Sequence, residues 1–235
     1  RTVEDTLKQM ENAQADNRKK RGLVLKLLMQ LKQICNHPYH FLKKTSFESE
    51  QYGEVLKQSK KLQRVVEITD EVIDKGEKVL IFTQFKKMGD LLLETLSYTY
   101  GFEILFFHGS VPAKTRKTLI DEFQSQDPDS APILILSLKA GGTGLNLTQG
   151  TTVVHFDRWW NPAVENQATD RAYRIGQTKN VNVYKFITVG TIEEKIDKLL
   201  EEKQDLAEKV VESTGESWIS DLDEDKLKEL LTLDV

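Results

Sequence analysis

The chain has 235 residues, 39% of them hydrophobic and 30% charged, with 33 Lys plus Arg against 37 Asp plus Glu for a net charge of −4. That is the profile of a globular protein with enough apolar material for a core. It excludes a membrane-spanning helix, since no apolar run nears the roughly 20 residues required, and an internal disulfide framework, since Cys35 is the lone cysteine.

No signal peptide opens the chain, and its start at Arg1 reads as a piece excised from something longer. Charge is uneven. From Glu193 onward the net is −9, which leaves +5 on residues 1–192. A basic patch on that body can serve a nucleic acid despite the acidic total; a solvated acidic tail beside an ordinary surface accounts for the same numbers.

The first periodic segment carries Val24, Leu27, Leu28, Leu31 and Ile34 and predicts a helix that stops near Asn36-His37-Pro38. Residues 45–59 lack periodicity and read as a linker. Leu62, Val65, Val66, Thr69, Val72 and Ile73 predict a second helix, closed by Gly76.

Alternation of strand and helix follows. Residues 79–82, 104–107, 133–136 and 153–156 are short, almost wholly apolar runs that suit strands buried on both faces of a parallel sheet. Amphipathic helices lie between them, around Leu91 and Leu92, and around Leu119, Ile120 and Phe123. Asn161-Pro162 opens a third helix with a capping residue followed by proline. Residues 181–187 partly alternate, as an edge strand would. Thr191-Ile192-Glu193-Glu194 reads as a capping box opening a long final helix with Ile196, Leu199, Leu200, Leu206, Val210 and Val211 on one stripe. The expected architecture is a doubly wound α/β fold: a parallel sheet with helices on both faces. Three divisions are expected: 1–59 as a helical segment and linker, 60–190 as the α/β lobe, and 191–235 as a final helix and acidic tail.

Several chemistries are excluded. No Gly-x-x-x-x-Gly-Lys-Ser/Thr loop occurs, and no acidic pair follows an apolar strand to hold magnesium. Cys35, His37 and His40 fall short of the four ligands of a closed zinc site, so no metal site is expected and Cys35 reads as a small apolar residue.

The informative segment is Glu165 to Gln177. A helix begun at Pro162 would carry Gln167, Arg171 and Arg174 on one face. Two neighbouring guanidiniums suit the oxygens of a transferring phosphoryl group. A surface helix with its arginines paired to Asp157, Glu165 or Asp170 is the plainer reading. Each predicted strand also ends beside candidate phosphate donors. Thr83 and Gln84 precede Lys86 and Lys87. His108-Gly109-Ser110 precedes Lys114 and Arg116. Lys139 precedes the cluster Gly141-Gly142-Thr143-Gly144 and Asn146. Arg158-Trp159-Trp160-Asn161 leaves the fourth strand.

Taken together, Ile34-Cys35-Asn36-His37-Pro38-Tyr39, residues 79–85, His108-Gly109-Ser110, residues 137–147, Trp160-Asn161-Pro162 and Asp170-Arg171-Ala172-Tyr173-Arg174-Ile175-Gly176-Gln177 resemble the second RecA-like lobe of Swi/Snf-type DNA-dependent ATPases of helicase superfamily two, over about residues 23–211. The Asp170 to Gln177 string is the most specific part. RNA helicases of that superfamily place arginine where Gln177 stands.

The resemblance implies that ATP and Mg2+ are held mainly by an N-terminal RecA-like lobe of the same polypeptide, to which Arg171 and Arg174 are arginine fingers, with Gln167 in the same motif. Gly142 and Gly144 fall in the loop that couples the nucleotide cleft to DNA. Thr83, Gln84, Gly109, Ser110, Arg116, Lys139 and Asn146 fall where the family meets double-stranded DNA, and Trp160 lies in a segment linking that contact to hydrolysis. The isolated chain is expected to be catalytically silent. Lys139, Thr143 and the Trp159-Trp160 pair depart from many eukaryotic remodellers and point to an archaeal or bacterial source. A cytoplasmic location is expected, at the nucleoid in a prokaryote or in the nucleus of a eukaryote. A non-catalytic DNA- or protein-docking module is the competing reading.

Overall fold

A computed structural model describes residues 17–137, 145–174, 176–202 and 230. Helix α1 spans Asn17–Asn36, and its end has a local cause. Pro38 cannot continue it. His37 instead caps a new short helix, α2 (Pro38–Phe41), its Nδ1 accepting the Tyr39 amide at 2.9 Å while Nε2–H donates to the Val55 carbonyl at 2.8 Å. Both ring nitrogens are thereby used in a neutral imidazole. Burial holds the His37 pKa below its usual value. Among the described residues no His, Cys, Asp and Glu are grouped to hold a metal.

The segment expected as a linker is ordered. A 3-10 turn (Ser49–Gln51) leads into α3 (Tyr52–Lys57), which buries Val55 completely. A single buried valine leaves no periodicity for a sequence reading to detect. Helix α4 (Lys60–Asp74) starts at Ser59, whose Oγ accepts the Leu62 amide at 3.1 Å, and ends at Gly76 with φ +64°.

Five parallel strands follow: β1 (Lys78–Thr83), β2 (Leu105–Phe107), β3 (Ile133–Ser137), β4 (Gly150–His155) and β5 (Asn182–Lys185). Their order is β2-β3-β1-β4-β5, with Ile81 opposite both Ile135 and Val154. The order places β1 at the centre and β5 at an edge. Alternate residues feed two cores. Val79, Ile81, Ile133, Ile135 and Val154 pack with α4 and α5 (Lys86–Tyr100). Leu80, Phe82, Leu134, Leu136 and Val153 pack with Phe123 of α6 (Ala113–Gln124) and Ala168 of α7 (Pro162–Thr169). Each fully buried aliphatic side chain contributes about 1.5–3 kcal/mol. Gly89 lets α5 close on β2, because a Cβ there would lie 2.2 Å from the Phe106 ring.

The chain divides into two compact units that do not follow sequence order. Residues 36–158 and 164–186 form the α/β unit; residues 1–35, 159–163 and 187–235 form the other. In the second unit Val24, Leu27 and Leu28 of α1 pack with Trp160 and with Ile192, Ile196 and Leu200 of α8 (Ile192–Glu202). Lys32 Nζ lies 3.9 Å over the Trp160 ring. The cap of α8 is displaced by one residue from the expected box: Thr191 Oγ1 accepts the Glu193 amide at 3.2 Å, and Glu194 accepts the Gly190 amide at 2.8 Å. Leu206, Val210 and Val211 lie outside the described residues. No helix among the described residues is long and apolar enough to cross a membrane.

Candidate nucleotide and nucleic-acid site

Ligands of open α/β sheets bind beyond the carboxyl ends of the strands. At the end of β1, Thr83 is fully buried and Gln84 is 5% exposed. The Thr83 hydroxyl donates to Asp157 Oδ2. The Gln84 amide donates to Asp157 Oδ1 at 2.8 Å, and its side-chain Nε2 donates to the Arg158 carbonyl at 2.6 Å. Asn36 Nδ2 adds a third donor to Asp157 at 3.1 Å, Lys61 Nζ donates to Asn36 Oδ1 at 3.3 Å, and Ser59 Oγ donates to the Asn36 carbonyl at 2.7 Å. Asp157 therefore gathers three chain-distant segments around one buried carboxylate. The Thr83 and Gln84 side chains are spent inside the unit, so phosphate contact by those side chains does not fit this arrangement. Trp160, 1% exposed, is likewise a core residue here.

At the end of β2, Gly109 and Ser110 are exposed, and the Ser110 amide donates to His108 Nδ1 at 3.3 Å. Arg116 reaches back from α6, donating through Nη2 to the Gly109 carbonyl at 2.6 Å and through Nε to the Val111 carbonyl at 2.7 Å. It holds the loop's shape while leaving part of the guanidinium at the surface. Asn146, after β3, is exposed. Lys139, Gly142 and Gly144 lie outside the described residues.

Helix α7 departs from expectation. Asn161 Oδ1 accepts the Ala163 amide at 3.0 Å, as a cap should, but the helix stops at Thr169. Tight turns replace it: the Arg171 and Ala172 amides reach back three residues, to Ala168 and Thr169. The Arg171 carbonyl accepts the Leu147 amide at 2.8 Å, a tertiary bond that competes with helix propagation. Gln167 is exposed on α7, whereas Arg171 and Arg174 stand on the turn after it. Arg171 is 4% exposed, and Arg174 is exposed. Burial lowers the Arg171 pKa first, and the charge of Arg174 lowers it further.

Glu165, which sequence offered as a partner for these arginines, is fully buried and taken by others. Arg158 Nε donates to its Oε1 at 2.6 Å, and Lys185 Nζ lies 3.1 Å from Oε2. Beside it, His155 stacks on Phe82 and meets Thr169 Oγ1 through Nε2 at 3.0 Å. Burial pushes the His155 pKa down to about 4, so the ring is neutral near pH 7. Sequence offered Asp157 and Glu165 only as partners for the arginines, and His155 had no distinct signal.

An open groove of about 530 Å³ borders Arg174, lined by Tyr173, Gln177, Thr178, Lys179 and Asn180. A slightly larger one, about 580 Å³, lies at the opposite ends of the strands around Lys78 and Phe102, away from the positions where such sheets bind ligands.

Comparison with known proteins agrees with this layout. The family described as Helicase conserved C-terminal domain matches residues 60–176. YwqA of Bacillus subtilis (strain 168), whose name is that of an ATP-dependent helicase/translocase, is 48% identical over 98% of this chain, which spans 24% of that protein. The Sulfolobus solfataricus SWI2/SNF2 ATPase core in complex with dsDNA superposes with a TM-score of 0.82 at 39% identity, covering all of this chain and 46% of the other. The C-terminal domain of a Sulfolobus solfataricus SWI2/SNF2 ATPase superposes with a TM-score of 0.76 at 37% identity, covering 99% of this chain and 92% of that one. With the sheet order, the arginine turn and this match across nearly a whole solved domain in hand, the chain belongs to the SWI2/SNF2 ATPase family and corresponds to its C-terminal, RecA-like domain.

Proposed function

We propose that this chain is the second lobe of an ATP-driven translocase or remodeller on double-stranded DNA, and that Arg171 and Arg174 act on a nucleotide held by the N-terminal RecA-like lobe of the same polypeptide. The observation that carries this reading is the arginine turn. Two guanidiniums stand three residues apart on the turn after α7, one buried and one exposed, and the pKa of the buried one is lowered by burial first and then by the charge of the other. Charge growing on a transferring phosphoryl group is the kind of anion that two neighbouring guanidiniums stabilise.

The donors present fit phosphate oxygens: two guanidiniums and, on α7, the Gln167 amide. They do not fit a metal, which leaves Mg2+ to the first lobe. ATP supplies the phosphoryl group whose transfer to water drives the cycle; this chain's part is to place positive charge and exclude water. Gly142 and Gly144 are assigned to the nucleotide side with Gln167. Direct phosphate contact on DNA falls to Gly109, Ser110, Arg116, Lys139 and Asn146. Thr83 and Gln84 act by shaping the end of β1, and Trp160 acts as a core residue of its own unit. The DNA-bound state of the Sulfolobus solfataricus relative supports duplex as the partner.

The test is ATP hydrolysis by the chain joined to its natural first lobe, with and without duplex. Strong stimulation by duplex is expected, and the isolated chain should hydrolyse nothing. A folded two-lobe protein that binds ATP yet never hydrolyses it would establish the docking-module reading instead.

A further inference from the structure

We infer that Gln177 is a positioning residue: its side-chain amide clasps the arginine turn to the strap of residues 147–150, and so sets where Arg171 and Arg174 stand. The inference rests on the role proposed above for those arginines, but the clasp itself stands on geometry.

Gln177 Nε2 lies 2.9 Å from the Thr148 carbonyl, 3.2 Å from the Gly150 carbonyl and 3.3 Å from the Ala172 carbonyl. Its Oε1 accepts the Lys179 amide at 3.0 Å. The orientation is forced, because a flipped amide would set an oxygen against three carbonyl oxygens. At the other end of the turn, the Leu147 amide donates to the Arg171 carbonyl at 2.8 Å. The turn is therefore pinned at both ends to one short strap. The strap is itself held on α6: Gln124 Oε1 accepts the Gln149 amide at 3.0 Å, and Gln124 Nε2 lies 3.4 Å from Thr148 Oγ1. Asn146 immediately precedes this strap, and Arg116 stands on the same helix as Gln124.

Residue chemistry at position 177 matters in a specific way. The site needs a donor for carbonyls and an acceptor for a backbone amide, at the reach of a three-carbon stem. Only glutamine has both. Glutamate would face the carbonyls with oxygen, methionine would match the length with neither function, and arginine would lack the acceptor.

The experiment uses the two-lobe protein with Gln177→Met and Gln177→Glu, the first guarding against misfolding of the second. Two readouts are taken. Exchange of the Leu147 amide hydrogen, which Gln177 does not touch, should quicken by about tenfold as the turn loosens. Duplex-saturated kcat should fall by about tenfold, while KM for ATP, duplex affinity and the melting temperature stay within about twofold or a few degrees of wild type. Unchanged Leu147 exchange in both variants overturns the clasp. A rise in KM at constant kcat overturns it too, since that marks a direct ligand contact. So does loss of duplex affinity and melting temperature together, which marks a general structural role. A wild-type protein without duplex-stimulated hydrolysis sinks the proposed function alone, and the exchange readout still decides the clasp.

Discussion

At the end of β1, Thr83 and Gln84 turn inward onto Asp157 and the Arg158 carbonyl, and both are buried. In the turn after α7, Tyr173 keeps 70% of its surface and Arg174 is exposed. Both regions belong to the same α/β unit, and both were candidate contact sites by composition. They differ in how backbone and side chain divide the work. Around Asp157 the side chains satisfy one another and build a rigid floor. In the arginine turn, backbone bonds and the Gln177 amide hold the loop. A polar residue at a strand end is thus no index of contact until its own hydrogen bonds are counted.

The sharpest way to break this comparison is Arg171→Ala or Arg174→Ala in the two-lobe protein. Turnover should fall by about 10³-fold or more while duplex affinity changes little. Near-normal hydrolysis in both would reduce the turn to surface charge. The floor should respond in stability instead. Asp157→Ala removes the acceptor for the Thr83 hydroxyl, the Gln84 amide and Asn36, and should cost about 3–5 kcal/mol in denaturant unfolding. A loss under about 1 kcal/mol would mean that the network is replaceable by water.

The smallest effect is one of pH, and it reaches both regions. His40 packs edge-on to Phe85, beside Gln84, and His155 supports Thr169 at the end of α7. Burial pushes the pKa of each down to about 4, with the charges of His37 and Lys87 adding to the effect at His40. The unfolded chain, with histidine near 6.5, binds protons more readily between about pH 6.5 and 4. Stability is therefore full above about 6.5 and is lost as pH falls through that window. From pH 6.5 to 5.5 each of these two histidines should contribute a loss of about 1 kcal/mol, and His155→Phe should remove its own share of about 1 kcal/mol from the acid limb. An equally steep acid limb in that variant would assign the effect to other groups.

Much of the framework was legible before any coordinates. Almost wholly apolar runs of strand length, separated by amphipathic helices, bury their faces in a parallel sheet covered on both sides. That placed β1 to β4, and the partial alternation of residues 181–187 put β5 at an edge. The His37-Pro38 stop, the Asn161 cap and the Gly76 closure are local, because each depends on a few neighbouring atoms. The motif strings located the arginine turn and its kinship with SWI2/SNF2 ATPases. What tertiary structure decided is everything that depends on a distant partner. It ended α7 at Thr169, since the Arg171 carbonyl bonds to Leu147, and it ordered the segment around Val55, whose carbonyl accepts from His37. It also gave Glu165 to Arg158 and Lys185 in place of the arginine turn, and turned Thr83 and Gln84 from surface donors into buried ones. Periodicity and spacing carry information over a few residues along the chain. A buried carboxylate such as Asp157 selects its donors through space, from residues 36, 83 and 84, and only the folded packing makes that choice.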